Sequence, residues 1–143
     1  MAVDGGNTRQ EGGMDRRLGR YSEPLYSIMR LVVGLLFSFH GAQKLFGAFG
    51  GHSQLSNPMM LVAGIVEIAG LLVAVGLWAS YAAFVASGEM AVAYFMAHAR
   101  GGLFPIVNKG ELAVLYCFVF LYIASRGSGR WSADGLLGRK GRA

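Results

Sequence analysis

Met59–Trp78 reads MMLVAGIVEIAGLLVAVGLW, a run in which Glu67 alone is ionisable. Its length is the roughly 20 residues that an α-helix needs to cross about 30 Å of hydrocarbon. An ionisable group at that depth costs about 2.5–3.5 kcal/mol on insertion scales, so it needs a partner or a role. Two further stretches repeat the pattern. Ala79–Met96 holds Glu89, and Leu25–Leu45 holds Arg30, His40 and Lys44. A fourth apolar run extends from near Asn108 to about Ser125.

The 143 residues are 54% hydrophobic and 15% charged, whereas a soluble domain carries about a quarter charged residues. Most charges lie in the first 24 residues and the last 18. Lipid leaves no water to satisfy an open backbone, so these spans are helices. We therefore expect an all-α polytopic membrane protein, an antiparallel four-helix transmembrane bundle over residues 23–126. A disordered cytoplasmic tail at 1–22 precedes it, and a basic cytoplasmic tail at 127–143 follows.

The formal net charge of +5 has a topological reading rather than a nucleic-acid one. Arg9, Arg16, Arg17 and Arg20 precede the first span, and Arg126, Arg130, Arg139, Lys140 and Arg142 follow the last. The positive-inside rule puts both termini in the cytoplasm of a multi-pass plasma-membrane protein. No secretory cleavage site ends the first apolar stretch. Cys117, the single cysteine, reads as a buried, inert thiol.

Ser22-Glu23-Pro24 and Asn57-Pro58 are helix starts, each a capping residue followed by a proline in the first turn. The first helix should reach Phe46, with a glycine-rich outer loop over Gly47–Ser56. Trp78–Tyr81 should turn at the inner surface, with its two aromatics at headgroup level. The third helix then runs to about His98, and Arg100–Val107 form a second outer loop. Ala79, Ala83, Ser87 and Ala91 recur every four residues, as Gly70 and Ala74 do, which lets backbones approach closely in lipid.

Glu67 lies about 13 Å and Glu89 about 12 Å below the outer helix ends at 1.5 Å per residue. Arg30, about 9 Å from the inner end, is the natural counter-charge. A structural polar clamp and a protonatable head-group site both fit this trio. His40 and Lys44 share one helical face near the outer surface. Asn108 and Glu111 have capping-box spacing and open a stripe with Leu115, Phe118 and Tyr122 that would turn Glu111 inward toward Lys44. His98 is a candidate outer ligand, although nine residues from Glu89 it falls on nearly the opposite face. Haem between His40 and His98 lacks any supporting motif, and no metal-ligand spacing occurs. Nor is there a phosphate loop, a paired-cysteine motif or a serine-nucleophile motif.

Taken in order, these pieces resemble the DoxX family of small four-helix membrane proteins. The resemblance rests on Arg30, Gly34 and Phe39-His40-Gly41-Ala42-Gln43-Lys44-Leu45, followed by Gly64-Ile-Val-Glu67. Met90–His98, Pro105–Glu111 and Gly129-Arg-Trp-Ser132-Ala-Asp134 continue it. Lys109 and Ala133 depart mildly from the family pattern. The family takes its name from a subunit of an archaeal terminal quinol oxidase, and some actinobacterial relatives join a superoxide dismutase and a thiol-handling enzyme. The resemblance implies a membrane subunit of a redox-linked complex, with redox-enzyme subunits and the bilayer as partners and quinone as candidate ligand.

The expected site is then Arg30, Glu67 and Glu89 at mid-depth, with His40, Lys44, Asn108 and Glu111 as an outer rim. No self-contained catalytic motif marks an enzyme. Two alternatives stand beside this reading. One is a non-catalytic scaffold whose charges specify helix pairing. The other is a small proton-coupled transporter, weakened by the lack of an inverted repeat with broken spans.

Overall fold

A computed structural model describes residues 13–138, which are helical with short connections and contain no strand. The tail expected to be disordered to residue 22 is described only from Gly13. There Gly13–Gly19 form a short helix, α1. Arg9, Arg139, Lys140 and Arg142 lie outside the described residues.

Helix α2 (Ser22–Phe46) is 25 residues long. Ser22 is its first helical residue rather than its cap, which falls on Tyr21 without a side-chain bond. It stops at Gly47, whose φ of 65° suits a residue without Cβ. Asn57 does cap α3 (Pro58–Ile68), its side chain accepting from the Met59 and Met60 amides. A break at Ala69 separates α3 from α4 (Gly70–Val75). Helix α4 closes in a Schellman motif: Gly76, at φ 74°, donates to Val73 O, and Leu77 donates to Leu72 O at 2.9 Å.

Helix α5 (Ala79–Ala93) continues into a π-helical turn, Tyr94–His98, and a 3-10 turn, Ala99–Gly101. Short α6 (Pro105–Asn108) leads to α7 (Glu111–Arg126), and α8 (Ala133–Leu136) follows. Two helical stretches are long and apolar enough to cross a membrane, Ser22–Phe46 and Pro58–Val75. The regular α-helical parts of α5 and α7 are shorter, 15 and 16 residues.

Neighbouring helices run antiparallel. Along α2 the contact surface is glycine: a Cβ at Gly34 would lie 2.5 Å from Ala74 N, and one at Gly41 would lie 2.7 Å from Gly64 O. Helix α5 packs on α7 through Ala79, Ala83 and Ala86, all buried, and Ser87 Oγ donates to Cys117 O at 2.8 Å. Ala91, expected on the same stripe, is only half-buried, as is Cys117. Between α2 and α7 the closure is aromatic, with Phe37 4.7 Å from Phe120 and 5.6 Å from Tyr116 between ring centroids.

Large apolar side chains point outward instead, among them Val62, Ile65, Phe84, Val85, Leu115 and Phe118. Small and polar residues inside with large aliphatic ones outside suit lipid and would be costly in water.

Candidate functional site

The glycine contact between α2 and α3 decides which charges meet. The two helices run antiparallel, so Gly41 lies level with Glu67 and Gly64 level with Lys44: a Cβ on Gly41 would lie 2.9 Å from Glu67 Cβ. A Cβ on Gly64 would lie 3.4 Å from Lys44 Cβ. Lys44 Nζ consequently donates to Glu67 Oε1 at 2.6 Å. The Glu67 side chain is 4% exposed and that of Lys44 26%. Lys44, level with Gly64, thus reaches one turn inward to a carboxylate that is level with Gly41.

Three acceptor atoms here are left over. Glu67 Oε2 and both Glu89 carboxylate oxygens are buried without a hydrogen-bond partner. Glu89, on α5, lies within electrostatic reach of Glu67 and Lys44. Glu67 in turn is reached by His40 and Tyr116. His40 is exposed at the α2–α7 junction and meets the Tyr116 ring edge-on, with centroids 6.4 Å apart. Both acids sit near helix irregularities: the break at Ala69 follows Glu67 by two residues, and the π-helical turn begins five residues after Glu89. Such turns recur at functional positions because they redirect side chains without ending the helix.

Arg30 is not part of this group. It is 2% exposed, and its guanidinium donates to Val73 O at 2.6 Å, Ala74 O at 3.1 Å and Trp131 O at 2.8 Å. It therefore serves carbonyls in the last turn of α4, of which Val73 O also accepts from the Gly76 amide. The expected pairing with a glutamate is replaced by this backbone role, because Arg30 stands level with the end of α4 and not with Glu67. Gly76 leaves room for it; a Cβ there would overlap the guanidinium and Ser132.

Around Arg30 the segment expected as a basic tail folds back. Asp134 accepts from the Trp78 amide at 2.8 Å and from Ser128 Oγ at 2.6 Å, while its own amide donates to Gly76 O. Ser132 caps α8 through the Gly135 amide. Tyr26 donates to Gly127 O at 2.5 Å, and Arg126 pairs with Glu23 and lies over the Tyr26 ring. Residues 127–136 are thus a structural closure of this end of the molecule.

The expected rim is only partly assembled. Glu111 is exposed, and Leu115, Phe118 and Tyr122 beside it are exposed too, so that stripe is the outward face of α7. The inward face is Ala113, Tyr116, Phe120 and Ile123. Asn108 makes no capping box, since α7 starts after Gly110; its Oδ1 accepts from the Gly110 amide and its Nδ2 donates to Gly102 O and to the Tyr94 hydroxyl. His98 Nδ1 lies 3.1 Å from Asn108 O. Asn108 and His98 therefore pin the 99–110 loop to the π-helical turn. Among the described residues no cluster of His, Cys, Asp and Glu could hold a metal ion.

Tyr116, Trp131 and Asp134 were absent from the expected site residues. For Tyr116 the available signal was the spacing of Ala113, Tyr116, Phe120 and Ile123, which is as helical as the stripe through Glu111. For the closure it was Ser132, a capping residue ahead of Asp134.

Chemically, the Lys44–Glu67–Glu89 group can hold a proton or bind a polar head group. A ligand that brings hydrogen-bond donors fits the three orphaned oxygens, and Lys44 and His40 can serve an acceptor.

The DoxX family model matches residues 25–99. An uncharacterized protein of Haemophilus influenzae is 41% identical over 125 residues, covering 82% of this chain and 93% of the relative. No solved structure matches the chain. Over that span and at that identity, the chain belongs to the DoxX family of membrane proteins.

Proposed function

We propose that the chain is a multi-pass plasma-membrane subunit of a redox-linked complex, and that its Lys44–Glu67–Glu89 group receives a quinone-type head group or a proton. In this reading α2, α3 with α4, α5 with its π-helical turn, and α7 cross the bilayer as a four-helix bundle. Both termini face the cytoplasm. His40 and Tyr116 border the group at the α2–α7 junction, and Arg30 supports the fold from the opposite end.

One observation carries the reading: three buried carboxylate oxygens have no donor. Buried polar atoms are nearly always satisfied, and an exception points to an absent partner. A purely structural clamp would need Lys44 and Glu67 alone, and Glu89 would be a liability. The redox partnership itself rests on family membership and on no geometry.

Purification of the tagged chain from its native membrane in mild detergent tests the partnership. Stoichiometric oxidase, dehydrogenase or thiol-redox subunits are the expected companions. Recovery of the chain alone, together with Glu67→Gln leaving head-group binding unchanged, would overturn the proposal in both parts.

A further inference from the structure

We infer that the segment from Leu103 to Val107 is seated in phospholipid rather than looped into water. Its side chains enter the acyl boundary of the leaflet at the end of the bundle opposite Arg30. This rests on the spans proposed above for α5 and α7 and is independent of the carboxylate group. Leu103, Phe104, Ile106 and Val107 are 73%, 73%, 76% and 66% exposed, at least as much as Phe84 and Phe118 on the outward faces of α5 and α7. Four large apolar side chains so close together mark a surface that binds something. The patch is continuous with the outward face of α7, because Pro105, Val114, Leu115 and Phe118 line one groove together with Glu111.

Helix length gives the depth. The 16 residues of α7 span about 24 Å at 1.5 Å per residue, against about 30 Å of hydrocarbon. The segment before α7 therefore stands at the membrane boundary and not clear of it. Irregular backbone is tolerated near hydrocarbon only where the protein satisfies its polar groups. Here Gly102 O accepts from Asn108 Nδ2 at 2.7 Å, and Leu103 O from the Tyr94 hydroxyl at 2.5 Å. Phe104 O accepts from the Val107 and Asn108 amides, and Pro105 O from the Gly110 amide at 3.1 Å. Four consecutive carbonyls thus have donors within the chain, which a loop in water does not require. Arg100 and Lys109, both exposed, flank the apolar run, and with Glu111 also exposed this rim stays net positive. At headgroup level the two cations face lipid phosphates, while the side chains between them enter the acyl layer, as interfacial segments do to about 5–10 Å. Charge and apolarity together fit phospholipid.

The test uses the full chain with Cys117→Ser, so that one introduced cysteine carries a nitroxide, in vesicles of phosphatidylcholine and phosphatidylglycerol. Leu103→Cys and Ile106→Cys probe the segment, and Phe84→Cys and Phe118→Cys probe the outward faces of α5 and α7. Spin relaxation compares collisions with oxygen, which concentrates in lipid, against collisions with a water-soluble nickel chelate. At Leu103 and Ile106 the oxygen-to-nickel ratio should exceed that of the free label in buffer several-fold and stay below that at Phe118, in the middle of α7. A ratio equal to the free label there, with lipid ratios at Phe84 and Phe118, overturns the inference and leaves the spans standing. Few collisions with either reagent mean that a second copy covers the segment, which overturns it too. Aqueous ratios at all four positions overturn the spans and the inference together. Hydroxyl-radical footprinting of the unaltered chain in the same vesicles decides the matter if Cys117→Ser does not fold. Leu103, Phe104 and Ile106 should then be oxidised no more than Phe84 and Phe118, and oxidation well above theirs overturns the inference.

Discussion

Replacing Arg30 by methionine removes the guanidinium while keeping a long apolar side chain. Val73 and Ala74, whose carbonyls it serves, are 0% and 2% exposed, so water cannot take its place. Val73 O keeps the Gly76 amide as a donor, so Ala74 O alone is orphaned, at about 1–3 kcal/mol. Against this stands the desolvation of the charge itself, several kcal/mol in a buried ion, and Arg30 Nε has no partner in the fold. Trp131 is exposed, so its carbonyl can return to water at little cost. The net expectation is a loss of about 1–2 kcal/mol. At about 3 °C per kcal/mol for a chain of this size, Tm falls by about 3–6 °C.

The two tryptophans are suited to following this change. Trp131 O accepts from Arg30, and the Trp78 amide donates to Asp134. Thermal unfolding watched by tryptophan emission in detergent therefore reports the closure directly. Arg30→Met and Glu67→Gln should be additive within about 0.5 kcal/mol, since they share no partner. An unchanged Tm for Arg30→Met would defeat this account. So would a coupling above about 1 kcal/mol, which would mean that Arg30 answers the glutamates after all.

Gly34→Ala forces a Cβ to within 2.5 Å of Ala74 N and 2.6 Å of Gly70 O, and backbone cannot step aside cheaply. It should cost about 1–3 kcal/mol, whereas Gly88→Ala, with open space around its Cβ, should be neutral or up to about 1 kcal/mol stabilising; equal effects on Tm would contradict the glycine contact. Lys44→Met leaves a buried carboxylate alone and should cost about 3–5 kcal/mol, most of it recovered in the Lys44→Met, Glu67→Met double variant. A double variant no more stable than the single one would show that the pair is not mutually dependent.

Helix starts and ends were legible where a local chemical signal marks them. Asn57-Pro58 announces α3 because the cap and the proline act on the backbone next to them, and Gly47 ends α2 through its own φ. Charges whose partners are side chains one helix away were legible in kind but not in pairing. Glu67 is interior as its surroundings require, yet its partner is Lys44, brought within reach by the close approach of α2 and α3 at Gly41 and Gly64 rather than by depth counted along single helices. Arg30 was illegible for a different reason. Its acceptors are backbone carbonyls, one of them 101 residues away at Trp131, and every residue type carries a carbonyl. On α7 two stripes had equally good helical spacing, and spacing says which residues share a face without saying which way it turns. The π-helical turn at Tyr94–His98 adds the same uncertainty beyond Glu89, because one extra residue per turn has no compositional mark.

The two polar groups separate structural from functional charge by the same test. Around Arg30 both terminal guanidinium nitrogens find carbonyls, those of Val73 and Ala74 on α4 and that of Trp131, Nε alone going without, and the segment from Gly127 to Leu136 is held down by that pairing. Such a group has little reason to bind anything else, since a ligand would have to displace bonds already made. Around Glu89 the opposite holds. Both its carboxylate oxygens are buried with no donor, a state that costs folding free energy for no packing gain. Apolar residues of the same size would stabilise the fold better there. In the proposed function it is therefore Glu89, more than the better-connected Arg30 or Lys44, that would meet the ligand or the proton. A loss of head-group binding in Glu89→Gln with an unchanged Tm would be the signature of that role.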